Sequence, residues 1–236
     1  MIKFPKFISA TFLTALLTFS TEFTAHAQSK LIFEENFKKN LDQKKWLTVN
    51  GSWELKDQAL YGSKDLNWAI LLANKPLPED FILTFSAMAA PKTYLFEVML
   101  NLNGSKFLGI LLNQLENKVA LEDRSLFADL ENRGTFVHST GHIGIMPKVK
   151  RIKQTDWQDW KIQRSGNQFF IWINQEAVLS FKDSTGFVKP KGQFGFAING
   201  DAAIKDLKVW KIKGEDALAP KDFKSLPLLK PFFVFE

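Results

Sequence analysis

Three carboxylates have the types and spacing for catalysis: Glu97, Glu122 and Asp123. They lie on or at the ends of predicted strands that follow one another in the chain. Glycoside hydrolysis needs two carboxyl groups about 5 to 9.5 Å apart, one of them with a pKa high enough to donate a proton. Lateral spacing within a sheet would bring two of the three into that range. The alternative is that all three are solvated acids paired with lysines or with Arg124.

Two histidines, His138 and His142, could bind a metal or substrate, or act as a general base. A Zn²⁺ site would need a third ligand, such as Asp129 or Glu131. Four-residue spacing places both rings on one side only in a helix, and Gly141 between them disfavours a helix. A Ca²⁺ site would need a dense Asp/Asn loop, which the sequence does not contain. We therefore expect no metal and no cofactor, and retain both histidines as substrate-binding candidates.

Aromatic and polar side chains suited to sugar contacts form the remaining candidate set. Trp68 and Trp172 could stack on a sugar ring, and Asn101 and Arg124 could hydrogen-bond its hydroxyls. Trp172 shares a predicted strand face with Phe170. The alternative is that a chain with 7 Trp and 23 Phe needs tryptophan in its core.

The elements that would position these residues are strands. Runs of five to nine apolar and β-branched residues recur between turn signals; for example, Asn103-Gly104-Ser105 separates Tyr94–Leu102 from Lys106–Leu112. Helical periodicity over three turns is absent after residue 27. The sequence predicts an all-β fold, a two-sheet antiparallel jelly-roll sandwich.

Alternation within the strand at Tyr94–Asn103 indicates how the sheets face each other. Phe96, Val98, Leu100 and Leu102 form one apolar face, which we assign to the core between the sheets. The opposite face is mixed and includes Glu97, Met99 and Asn101, so it is expected to meet water as a sugar-facing or an ordinary solvated surface.

The segment from Asp123 to Gln154 has a different character. It is charged, contains several glycines and shows little alternation, and Asp123–Asn132 has a helix-like composition. Long loops in compact domains are usually functional or disordered. We therefore expect a loop here, at the rim of a ligand site.

The ends of the chain predict export. The pattern of residues 1–27 indicates a signal peptide, with two lysines, an apolar run and Ala25-His26-Ala27 as the cleavage site. The sandwich domain is then 28–213 and the tail 214–236, giving a periplasmic or extracellular protein with no membrane span. The apolar end of the tail is expected to pack on the sandwich or to dock a protein partner.

The charge distribution and the cysteine content exclude two classes of protein, nucleic-acid-binding proteins and disulfide-stabilised domains. The chain has no cysteine, so its stability comes from the core and not from disulfides. The net charge is +6, but basic residues are interspersed with acids, and the one dense basic stretch is Lys148–Lys153. We therefore expect no nucleic-acid binding.

Three segments resemble a known family. The sequence looks like the secreted 3-keto-disaccharide hydrolase-like domains, relatives of the concanavalin A-like lectin/glucanase fold, at Glu35–Leu60, Trp157–Gln175 and Gly192–Val209. The resemblance implies a jelly roll that handles saccharides. The Glu-x-Asp-x-x-Glu motif of related β-glucanases is absent, so the resemblance assigns no catalytic residue.

Three functions remain open from the sequence. The first is saccharide binding on one sheet face. The second is a glycoside hydrolase acting on keto-sugar disaccharides or β-glucans. The third is a non-catalytic protein-interaction domain of the cell envelope.

Overall fold

A computed structural model describes residues 29–64, 68–113, 118–129, 134–145 and 152–213, together with Pro220 and Phe223. These residues form fifteen β-strands and no α-helix, and none of them belongs to a helix long and apolar enough to cross a membrane. The strands are β1 (Lys30–Glu35), β2 (Trp46–Asn50), β3 (Ser52–Lys56), β4 (Ala59–Ser63), β5 (Ala69–Ala73), β6 (Phe81–Ala89), β7 (Leu95–Asn103), β8 (Lys106–Asn113), β9 (Lys118–Asp129), β10 (Gly134–Ile145), β11 (Gln158–Ser165), β12 (Gln168–Ile173), β13 (Glu176–Lys182), β14 (Gln193–Asn199) and β15 (Asp201–Lys211).

The strands form two antiparallel sheets packed face to face. The eight-stranded sheet has the order β13-β12-β11-β6-β15-β4-β3, with β1 also paired to β15. The seven-stranded sheet has the order β10-β9-β8-β7-β14-β5-β2. The predicted all-β, two-sheet antiparallel jelly roll is confirmed. The predicted signal peptide 1–27 and most of the tail 214–236 lie outside the described residues.

The core between the sheets is aromatic. Phe85 and Trp160 from the eight-stranded sheet stack with ring centroids 5.7 Å apart, and Phe85 meets Phe196 of the other sheet edge-on at 5.3 Å. Burial of these rings removes large apolar areas from water, which is the main stabilising contribution in a fold without disulfides.

A bulge in β7 changes the face of one predicted core residue. Phe96, Val98 and Leu100 lie in the core as predicted, but Leu102 packs in a separate cluster on the other side of the sheet. The register shifts between Leu100 and Asn103, and Asn101 has a φ of 55°. An extra residue in a strand reverses the side-chain alternation beyond it, so the assignment of Leu102 to the inner face was wrong.

The expected loop at Asp123–Gln154 was also wrong. Most of it forms the end of β9 and the whole of β10, which pair with each other. The segment Asp123–Asn132 has a helix-like composition but is β-strand up to Asp129. The register shifts between Ser139 and Gly144. That irregularity interrupts the period of two, which is why alternation was not visible in the sequence.

The seven-stranded sheet is strongly curled. Its two edge strands are six strand spacings apart, about 29 Å in a flat sheet, yet Asn50 Nδ2 on β2 donates to Thr135 O on β10 at 3.1 Å. The outer face is therefore concave, and we call it the concave face. It carries its own buried apolar cluster, which includes Trp68, Met99 and Val137. The expectation that the mixed face of β7 meets water was thus wrong for Glu97 and Met99, which are both fully buried.

Candidate functional site

Three of the predicted site residues meet on the concave face. Glu97 on β7 lies two strands from Glu122 and Arg124 on β9, and β8 runs between them. Gly109 of β8 pairs with Glu122, and a side chain at this position would overlap the Glu97 carboxylate and come within 2.8 Å of Arg124 Cγ. The missing side chain of Gly109 therefore lets the two charged groups meet across β8.

Arg124 connects both acids. Its Nε donates to Glu97 Oε1 at 3.1 Å and its Nη2 to Glu97 Oε2 at 3.5 Å, while Nη1 donates to Glu122 Oε2 at 3.1 Å. This forked geometry fixes the orientation of the guanidinium and of both carboxylates. We call Glu97, Arg124 and Glu122 the concave-face triad.

Exposure differs within the triad. The Glu97 side chain has no exposed surface, and the Arg124 side chain is 7% exposed. The Glu122 side chain is 22% exposed, so it is the member that meets solvent. A ligand approaching the triad would reach Glu122 first.

Burial dominates the electrostatics of Glu97. It raises the pKa of the carboxyl from 4.5 to about 7, against the opposing effect of the Arg124 charge and with a smaller contribution from Glu122 in the same direction as burial. A buried carboxyl with such a pKa exchanges its proton near neutral pH. The triad therefore contains one acid that is partly protonated at pH 7.

Trp68 flanks the triad. Arg124 Cζ lies 6.0 Å from the centre of its ring, within range of a cation–π contact. The ring is almost fully buried in the apolar cluster of the concave face. The sequence-predicted set of Glu97, Glu122, Arg124 and Trp68 is thus brought together by the fold.

Asp123, the third predicted acid, points the other way. Its register partner on β8 is Leu108, which belongs to the core between the sheets. It is fully buried and accepts hydrogen bonds from Thr140 Oγ1 and, at 3.1 Å, from Ile143 N. These bonds fix the irregular part of β10 against β9, so Asp123 is separated by the sheet from the other two acids.

The remaining predicted polar residues lie elsewhere. Asn101, at the β7 bulge, is buried, and within the described part of the chain its amide has no hydrogen-bond partner. His138 is exposed on β10, with Nδ1 close to Ser139 O and its ring edge-on to Phe127 at 6.2 Å. His142 lies in β10, but its side chain is outside what the structure describes. No group of three metal-ligating side chains occurs among the described residues.

Trp172 lies on the opposite side of the molecule from the triad. It faces outward from β12 in the eight-stranded sheet, on the same face as Phe170, as predicted. Lys161 Nζ lies 4.3 Å from its ring centre, and Phe223 contacts it edge-on at 4.7 Å. The fold therefore separates the two candidate sugar-stacking tryptophans.

Gly109 is the site residue that the sequence reading did not select. An isolated glycine in an apolar strand such as Phe107–Leu112 indicates close approach by a neighbouring group. That signal was present, but it does not say which group approaches.

Gly109→Ala is expected to destabilise the fold by roughly 1–3 kcal/mol, since the added methyl group displaces the Glu97 carboxylate from Arg124. Urea unfolding of the wild type and the variant measures the loss. In a Glu97→Ala background the loss should shrink, because the overlapping carboxylate is gone. An unchanged loss in that background would contradict the assigned contact.

Comparison with known proteins defines the class of fold. No family model matches the chain, and no curated protein matches it. Solved structures with this fold include a CBM66 carbohydrate-binding module from Bacillus subtilis, at 18% identity and a TM-score of 0.55, covering 71% of this chain and 96% of that one. A protein of unknown function with a galectin-like fold from Bacillus subtilis has 13% identity and a TM-score of 0.59, with coverages of 79% and 99%.

An enzyme shares the same architecture. The laminarinase catalytic domain from Thermotoga maritima is 9% identical with a TM-score of 0.54, and the match covers 79% of this chain and all of that one. Identities this low show the fold and not the activity. The chain is a jelly-roll sandwich of the type found in carbohydrate-binding modules, galectin-like proteins and β-glucanases.

Proposed function

We propose that this protein binds a saccharide on the concave face, at the partly exposed Glu122 of the triad, without cleaving it. The observation that carries the proposal is the double engagement of Arg124, which holds Glu97 and Glu122 at once. A carboxylate held in place in this way is a preorganised acceptor for sugar hydroxyls. Carbohydrate-binding modules and glucanases of the same fold support the class of ligand.

Binding is favoured over cleavage because of what lies between the acids. In a glycosidase the two carboxyl groups flank the scissile bond, with the sugar between them. Here the guanidinium of Arg124 occupies that position and bonds to both. Cleavage would require Arg124 to leave a site in which its side chain is only 7% exposed.

Glu122→Gln tests the binding proposal. Replacing the carboxylate with an amide is expected to weaken binding of the responding saccharide about tenfold, which is 1.4 kcal/mol. Calorimetric titration with β-glucan oligosaccharides, disaccharides and 3-keto-glycosides measures the affinity. Glu54→Gln, at an exposed position on the other sheet, is the matched control and should leave affinity unchanged. Equal affinities for wild type and Glu122→Gln would overturn the proposal.

Glycoside hydrolysis is the second candidate, favoured by the pKa of Glu97 near 7. A protonated Glu97 would supply the acid and Glu122 the second carboxylate, on the 3-keto-disaccharides or β-glucans that the family resemblance suggests. The same incubations, followed by mass spectrometry, distinguish the two functions. Products that form with the wild type and not with Glu122→Gln would establish the enzyme, and intact saccharides throughout would leave binding alone.

A further inference from the structure

A pocket opens on the outer face of the eight-stranded sheet, on the side of the molecule away from the triad. Its volume is about 420 Å³. The side chains that line it and matter here are Thr84, Ser86, Asp159, Lys161, Trp172 and Asp206, from four adjacent strands. A volume of this size is in the range of small-molecule sites.

The floor of the pocket is a fixed polar pair. Ser86 Oγ donates to Asp159 Oδ1 at 2.6 Å across the β6–β11 ladder. Ser86 is buried, whereas Asp159 is exposed. The hydroxyl therefore orients a carboxylate that faces the opening, where it can accept hydrogen bonds from a ligand.

Two tryptophans flank this pair, each with a lysine over its ring. Lys161 Nζ lies 4.3 Å from the ring centre of Trp172, and Lys205 Nζ lies 4.2 Å from that of Trp157. Trp157 is half-buried and precedes β11, two residues before Asp159. Both rings thus lie on the outer side of the same sheet. Lys205 covers the half-buried ring of Trp157, whereas the ring of Trp172 is buried beneath Lys161 and also packs on Phe223.

The spacing of the two rings suits a chain of linked sugars. Trp157 is four residues along the strand from Lys161, whose register partner on β12 is Trp172. Strand rise and strand separation give about 14 Å between the two backbone positions. This span exceeds one ring and fits an oligosaccharide lying across Asp159.

The charges around the pocket indicate a neutral ligand. Among the residues that the structure describes at this pocket, Lys161 and Lys205 are matched in number by Asp159 and Asp206, so neither an anion nor a cation is favoured. Sugar hydroxyls donate and accept, and they can use both carboxylates and both ammonium groups.

We propose that the outer face of the eight-stranded sheet holds a second saccharide site, in which Trp157 and Trp172 stack on rings of a neutral oligosaccharide and Asp159 accepts its hydroxyls. Lys205 moves off Trp157, and Lys161 and Phe223 move off Trp172, when the sugar stacks. This site is independent of the concave-face triad, and the function proposed there does not depend on it.

The test records the indole N–H signals of ¹⁵N-labelled protein during titration with laminarihexaose, cellohexaose and mannohexaose. We expect the Trp157 and Trp172 signals to shift saturably with one of these probes. Trp157→Ala should weaken that binding about tenfold. Trp210→Ala is the matched control, since Trp210 is half-buried beside Ile82 on the same face but outside the pocket, and it should leave affinity within about twofold.

The same spectra separate the two faces. Shifts confined to Trp68 would overturn the second site and leave the concave-face proposal standing. Shifts confined to Trp157 and Trp172 would support the second site. No saturable shift of either signal with any hexaose at millimolar concentration would overturn the second site, and so would equal weakening of binding by Trp157→Ala and Trp210→Ala.

Discussion

Arg124→Met is expected to lower the free energy of unfolding by about 3–5 kcal/mol at pH 8, the largest effect of any single change at the concave face. Glu97 is fully buried, and Arg124 donates two hydrogen bonds to it. Methionine fills much of the same volume but supplies neither the charge nor the donors. At pH 8 the carboxylate must then remain buried without this partner or take up a proton.

The pH dependence and two further variants identify the cause. Because the folded protein holds the Glu97 proton below about pH 7, the cost of Arg124→Met should be smaller at pH 5 than at pH 8. Arg124→Lys keeps the charge but not the fork, so its loss should be intermediate. Adding Glu97→Leu to Arg124→Met should recover most of the stability. Urea unfolding checks each variant, and a cost below about 1 kcal/mol at both pH values would contradict the coupling.

The sequence was sufficient for the fold class because its signals were local. Strands were visible as apolar runs bounded by turns, such as the pair flanking Asn103-Gly104-Ser105, which form β7 and β8. Trp160 belongs to the core because it alternates with Ile162 on an inward face, and the structure buries both. Such signals depend on neighbours two residues apart, which the sequence displays directly.

Irregular strand pairing was not accessible in the same way. The bulge at Asn101 reversed the face of Leu102, and the shift between Ser139 and Gly144 hid a complete strand. Both depend on what the partner strand does, and a single strand's pattern does not contain that information. The bulge also determines the surroundings of Asn101, which is buried and not the surface residue that its predicted face implied.

The candidate site was predicted in its chemistry but not in its arrangement. Glu97, Glu122, Arg124 and Trp68 were selected as residue types, and the curl of the seven-stranded sheet brings them together. The separation of Asp123 from Glu122 follows from side-chain alternation once β9 is known to be continuous. The curl brings Asn50 into contact with Thr135, 85 residues away in the sequence, and no local pattern indicates such a contact.

The two proposed sites therefore rest on different properties of the same sandwich. On the concave face, ion pairing within an apolar cluster fixes Glu122. On the opposite sheet, an exposed carboxylate held by a buried hydroxyl lies between two aromatic rings on a regular ladder. Changes at one should leave the other intact, because substitutions that share no partner usually have additive effects.

Glu97→Gln is expected to change how stability depends on pH. In the wild type, the folded state keeps the Glu97 proton up to about pH 7, whereas the unfolded state releases it near 4.5. Between these values the folded state binds more protons, so the free energy of unfolding falls as pH rises, by up to about 3 kcal/mol. Glutamine is neutral throughout and removes this contribution. Relative to the wild type, the variant should therefore gain stability between pH 4.5 and pH 7 and show no further change above.

The difference between the two stability curves isolates Glu97 and its coupling within the triad, since groups outside the triad contribute equally to both. Asp183, for example, has a lowered pKa despite its burial, because it accepts hydrogen bonds from Val188 N and Thr185. It adds stability that is lost at low pH in both proteins. Urea unfolding from pH 4 to pH 8 supplies the curves, with Glu54→Gln as the exposed control that should follow the wild type. Curves for wild type and Glu97→Gln that stay parallel across this range would show that Glu97 titrates alike in both states, and its carboxyl would then be ionised at pH 7.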